Sequence, residues 1–142
     1  MQRERMKLLL VEDDRDSAEA LLSLFDLHDI ETVWSVDGPS ALDTLDRIQR
    51  LGERPPDFAL LDLNLPNTDT IRHGREMMSH PSGCPVVLVS ASSSQVLEES
   101  TRELGAAGCL RKPFQMDSLL AMLRKHYTLG ESGFSDRPAA RR

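Results

Sequence analysis

Short apolar runs rich in Val and Leu alternate along the chain with longer segments in which apolar residues return every three or four positions. The short runs, 7–11, 32–36, 58–61, 86–90 and 108–111, fit parallel strands covered on both faces, which read as unbroken apolar stretches. Between them, Ala18, Leu21, Leu22 and Phe25 make one helical stripe, and Ala41, Leu42, Leu45 and Ile48 make a second. Ile71 with Met77 and Met78 gives a weaker third. Val96, Leu97 and Leu104 give a fourth with a thin apolar face, and Met116, Leu119, Leu120 and Leu123 a clear fifth. Five β-α units predict an α/β fold, a doubly wound five-stranded parallel sheet with helices on both faces. They occupy residues 6–128; the remainder, 129–142, is polar, lacks periodicity and ends basic, so a disordered tail or linker is expected there.

The third apolar run ends on an acid, in "LLDLNLP". In an open parallel sheet, ligands gather beyond the carboxyl ends of the strands. Asp62 belongs to that rim. Glu12, Asp13 and Asp14 reach it from the first strand, Ser90 closes the fourth, and Lys112 follows the fifth in "LRKPF". Carboxylates at close quarters repel one another and raise one another's pKa unless a cation lies among them. An oxygen-only donor set points to magnesium or manganese rather than zinc. Beside such an ion, Asp62 has the position of a nucleophile toward a phosphoryl group, with Lys112 and Ser90 supplying a positive charge and a hydrogen bond.

Composition narrows the partners. The 142 residues are one domain's worth, 39% hydrophobic and 28% charged, with a net charge of −6. That balance argues against direct nucleic-acid binding, which needs a basic face. It suits a cation or basic protein partners. No apolar run is long enough to span a bilayer, and "MQRERMKLLLVEDD" is too short in its apolar part for a signal peptide, so a cytoplasmic protein without a membrane partner is expected. Cys84 and Cys109 have no metal-ligand spacing and read as reduced thiols.

The succession "LLLVEDD", "LLDLNLP", "VVLVSA" and "AAGCLRKPF" resembles the receiver domain of two-component response regulators over nearly the whole chain. The resemblance implies a flavodoxin-like strand order 2-1-3-4-5 and a magnesium-dependent phosphoacceptor switch. Asp62 would take a phosphoryl group from a phosphohistidine of a histidine kinase or histidine phosphotransfer protein and change binding to a downstream effector protein. Glu12 and Asp13 match the acidic pair that holds Mg2+, together with Asp62 and the backbone carbonyl of Asn64. Ser90 matches the hydroxyl that turns toward the phosphate, Ala91 the small residue after it, and Lys112 the phosphate-binding lysine, with a cis bond to Pro113. Two positions depart from the family. Cys109 stands where many receivers carry an aromatic residue, and Thr70 where many carry glycine.

Other readings compete at individual positions. Asp14 or Asp16 is better explained as a helix cap than as a further metal-site acid, and residues 92–94 as a loop with a cap. His28, His73, His80 and His126 are expected to be exposed, and Trp34 to pack under a helix from an edge strand. An aspartyl phosphatase also uses a strand-end Asp, a hydroxyl, a lysine and magnesium, but it needs a second Asp as general acid where this chain has Asn64. A receiver fold kept only as a binding module would have lost an acid or the lysine, and neither is lost. The expectation is therefore a switch rather than an enzyme.

Overall fold

The computed structural model describes residues 5–131, with side chains through 125. In chain order the elements are β1 (Met6–Val11), α1 (Arg15–Leu27), β2 (Ile30–Ser35), α2 (Gly38–Leu51), β3 (Phe58–Asp62), α3 (Thr70–Ser79), β4 (Val86–Ser90), α4 (Ser94–Leu104), β5 (Gly108–Arg111) and α5 (Met116–Glu131). The strands form one parallel sheet in the order β2-β1-β3-β4-β5. The expected boundary at 128 falls inside α5. Of the expected tail, residues 132–142 lie outside the described residues.

Side chains that alternate along each strand divide the core into two layers. Leu9, Val11, Ala59, Leu61, Val86 and Leu88 face α2, α3 and α4, where Ala41, Leu45, Ile48, Met77, Leu97 and Leu104 cover them. On the opposite face Leu8, Leu10, Phe58, Leu60, Val87 and Val89 pack against Ala18 and Phe25 of α1 and Leu119 and Leu123 of α5. Both faces are closed. The thin apolar face of α4 is thinner still, because Val96 is 47% exposed while Leu97 and Leu104 are buried.

Polar residues set the element ends. Asp14, Asp37, Asp69 and Ser93 accept from backbone N–H groups of the first turns of α1, α2, α3 and α4, filling donors that a helix start leaves open. Gly52 and Gly105 end α2 and α4 in the left-handed region, at φ 68° and 76°. The second strand departs from its expected span. It begins at Ile30, paired with Met6, and stops at Ser35, paired with Val11; Val36 lies beyond it and is half exposed.

The histidines correct a second expectation. His28 is exposed, but His73 is buried, with its ring against Gly38 of α2. There its Nδ1 accepts from the Asp69 N–H at 2.9 Å. A Cβ on residue 38 would come within 2.7 Å of that ring, so the glycine makes the burial possible. His80 bonds Asp46 at 2.7 Å, and His126 lies outside the described side chains.

Candidate functional site

The carboxyl ends of β1, β3, β4 and β5 converge on one rim. Glu12 follows β1 and is 3% exposed, with all its polar groups engaged. Its N–H donates to the Ser35 carbonyl (3.0 Å), and its carbonyl accepts from the Trp34 indole (2.7 Å). Its carboxylate accepts from the Asp14 N–H (3.1 Å) through Oε2 and from Lys112 Nζ (2.8 Å) through Oε1. A buried carboxylate is tolerated only when paired in this way. Asp13 is exposed at the rim. Asp14 serves as the cap of α1; the hydrogen bond from Ser17 holds its carboxyl below the ordinary range.

Asp62 ends β3. Its Oδ1 accepts from the Asn64 N–H at 2.9 Å, and its Oδ2 from Lys112 Nζ at 2.6 Å. Lys112 therefore bridges two carboxylates from different strands. Desolvation presses its pKa downward, yet the hydrogen bonds and charges of Asp62 and Glu12 outweigh it and raise the ammonium above 10.5. The bond from Lys112 to Pro113 is cis. Ser90 closes β4 and is fully buried. Its Oγ accepts from the Asn64 carboxamide (3.2 Å) and from the Ser92 N–H (2.9 Å).

The metal expectation divides here. Among the described residues no three His, Cys, Asp or Glu side chains gather as a metal-holding group. Glu12 and Asp62 meet around the lysine, with Asp13 exposed on the same rim. The donors nevertheless fit a hard divalent cation: Glu12 and Asp62 share the Lys112 ammonium, Asp13 adds a further carboxylate at the rim, and no imidazole or thiol is among these rim donors. Glu12, Asp13 and Asp62 with the Asn64 carbonyl are the groups that would hold it.

The two departures from the family pattern have local consequences. Thr70 opens α3 and donates to the Leu63 carbonyl (2.9 Å). The turn before it is made by Asn67 at φ 54°, one of the few side chains that enter this region readily. Cys109 lies opposite Leu88 in β5, half-buried in the layer covered by α4. Sequence reasoning missed the Asn64 and Ser92 side chains and the bond from Trp34 to Glu12. The last had a signal, since a buried indole N–H needs an acceptor.

The family model of the response regulator receiver domain matches residues 8–124. The chain is 30% identical over 118 residues to the transcriptional regulatory protein YxdJ of Bacillus subtilis, covering 83% of this chain and 48% of that one. With CpxR of Escherichia coli it shares 33% over 121 residues, 83% and 47% of the two chains. It thus spans about half the length of these curated relatives. Among solved structures, the BeF3-activated N-terminal receiver domain of Klebsiella pneumoniae RstA is 29% identical, with a TM-score of 0.71 over 84% of this chain and 97% of that one. A CheY-like receiver domain protein from Methanospirillum hungatei, at 17% identity, shares the fold with a TM-score of 0.77 over 92% and 99%.

These matches overturn one expectation. Receiver domains of this family catalyse phosphoryl transfer to their own aspartate and its later loss, so the non-enzyme reading does not stand. Aspartate phosphorylation in magnesium-dependent signalling comes with this homology and fold. The match across 8–124, carried on a parallel sheet of order 2-1-3-4-5, shows that the chain belongs to the response regulator receiver family.

Proposed function

We propose that Asp62 is the phosphoacceptor, taking its phosphoryl group from a phosphohistidine of a histidine kinase or histidine phosphotransfer protein. A carboxylate oxygen of Asp62 attacks phosphorus, the N–P bond breaks, and the imidazole leaves with the bonding pair. Lys112 holds Asp62 in place beforehand and stays protonated to meet the incoming phosphoryl oxygens. The observation that carries this reading is the bridge itself, one ammonium at 2.6 Å from Asp62 and 2.8 Å from Glu12. Ser90, at the end of the neighbouring strand, supplies a hydroxyl donor to the phosphoryl group.

Glu12, Asp13, Asp62 and the Asn64 carbonyl hold Mg2+ in this reading. When bound, the ion neutralises charge on the phosphoryl oxygens. A phosphatase reading lacks its general acid, because Asn64 stands two residues after Asp62 and its carboxamide is bonded to Ser90 and Ser92. In this reading the receiver unit runs from about residue 6 to the end of α5 at Glu131. Phosphorylation adds about −1.5 to −2 charges to the rim and changes affinity for a downstream effector protein. The net charge of −6 supports protein rather than direct nucleic-acid contact. No helix among the described residues is long and apolar enough to cross a membrane, which supports action in the cytoplasm.

Acetyl phosphate with magnesium should add one phosphoryl group, seen by intact mass, and Asp62→Asn should abolish the addition. Equal modification of the Asn variant would remove Asp62 from its role.

A further inference from the structure

Asn64 makes more bonds at the rim than its place in the site requires. Its N–H donates to Asp62 Oδ1 at 2.9 Å. Its carboxamide nitrogen donates to Ser90 Oγ at 3.2 Å and to Ser92 Oγ at 3.0 Å. Ser92 closes the triangle, because its own N–H donates to Ser90 Oγ at 2.9 Å. A serine hydroxyl has two acceptor lone pairs and one donor hydrogen. Both acceptor positions of the fully buried Ser90 are therefore filled, one from each of two loops.

We propose that the Asn64 carboxamide and the Ser92 hydroxyl are positioning residues that clasp the loop after β3 to the loop after β4, holding Ser90 in the resting arrangement. This rests on the reading of Asp62 as acceptor and Ser90 as the hydroxyl that meets the phosphoryl group. A rotation of Ser90 that carries its Oγ toward a phosphoryl group on Asp62 breaks the bonds that Oγ accepts from Asn64 and Ser92. The Asn64 bond lengths then change with it. The clasp thus stabilises the unphosphorylated arrangement and lowers the fraction of molecules ready to react. A binding-competent minority reduces apparent reactivity in proportion to its population.

The Asn64 side chain is separable from its backbone, which belongs to the site. Ser92 touches no reacting atom in this reading, so its variants report on the clasp alone. A lost hydrogen bond of ordinary net strength corresponds to a change of roughly 2- to 10-fold in an equilibrium. Ser92→Ala should raise the initial rate of phosphoryl uptake from acetyl phosphate by about that factor. Amide exchange in residues 91–94 of the unmodified protein should quicken in parallel. Asn64→Ala should act in the same direction, and the double variant should exceed the larger single effect little, because both changes open one clasp. Ser92→Thr, which keeps an acceptor oxygen, should return the parent rate and exchange.

Parent-like rate and exchange in Ser92→Ala, or a change that Ser92→Thr does not reverse, would overturn the clasp. Thermal melts of each variant identify any general loss of folding, and in that case exchange confined to 91–94 in Ser92→Thr against the parent decides. Asp62→Asn, run alongside, separates the two ideas. If it still takes up a phosphoryl group, the acceptor reading fails regardless of the exchange data. If it is inert while the Ser92 variants behave as the parent, only the clasp fails.

Discussion

Trp34 and Glu12 are 22 positions apart and meet through a 2.7 Å bond from the indole N–H to the backbone carbonyl. The contact crosses from the edge strand β2 to the residue just past β1, where the acidic rim begins. Since the Glu12 N–H is also held by Ser35, β2 grips both backbone groups of one site residue. Trp34→Phe keeps most of the ring packing and removes the donor. It should cost about 0.5–1.5 kcal/mol in denaturant unfolding and weaken magnesium affinity, measured by calorimetric titration. An unchanged affinity with the expected stability loss would confine Trp34 to packing.

Glu12, Asp13 and Asp62 set three carboxylates against the single ammonium of Lys112 and leave the rim electronegative. Millimolar magnesium should therefore raise the melting temperature by selective binding to the folded state. Asp13→Asn should remove most of the gain, since the exposed Asp13 has no role in the Lys112 bridge. A parent protein indifferent to magnesium would dismiss the cation site.

Lys112 ties stability to alkaline pH. Its folded pKa is raised above 10.5 because the bonds to Asp62 and Glu12 overcome the cost of burial. A group raised on folding contributes stability that is fully present below its unfolded pKa and is lost as pH rises through the folded value. Lys112→Met should be less stable than the parent at neutral pH, where Glu12 loses its buried counter-ion. The gap should narrow above about pH 10.5. Urea unfolding at pH 7, 9 and 11 provides the test, and a gap independent of pH would show that the lost stability is packing alone.

Cys109 bears on how the signal leaves the site. It is smaller than the aromatic residue of many receivers and shares its layer with Leu97 and Leu104 of α4. Coupling through β5 should fall below the ~1–3 kcal/mol common between linked sites, with the response carried by the loop after Ser90 and by α4. α4 buries only Leu97 and Leu104, and sparsely packed elements open most readily. Hydrogen exchange with and without a phosphate mimic should differ most in residues 91–104, and Cys109→Tyr should enlarge the change in β5. Equal changes at both places in the parent would refute this route.

The candidate site residues Asp62 and Ser90 were readable because each closes an apolar run, "FALL" and "VVLV", while Lys112 follows the strand "GCLR". The two-layer core followed from the same runs. What could not be read depends on groups far apart in sequence. His73 is buried because Gly38 leaves space for its ring, and neither residue announces the other. Val36 looks like a strand residue, but pairing with β1 ends at Ser35. The Asn64 bonds to Ser90 and Ser92 arise from the approach of two loops, which local periodicity does not encode.

Lys112 comes 50 residues after Asp62 and 100 after Glu12. During synthesis, both acids emerge long before the cation that pairs them, and β5, the last strand in the chain, lies at the sheet's edge. Until that edge strand docks, the rim is a set of mutually repelling carboxylates without its resident counter-ion. In the proposed reading, the Lys112 bridge makes acceptance of a phosphoryl group at Asp62 conditional on a finished sheet, so a partly folded chain is a silent one.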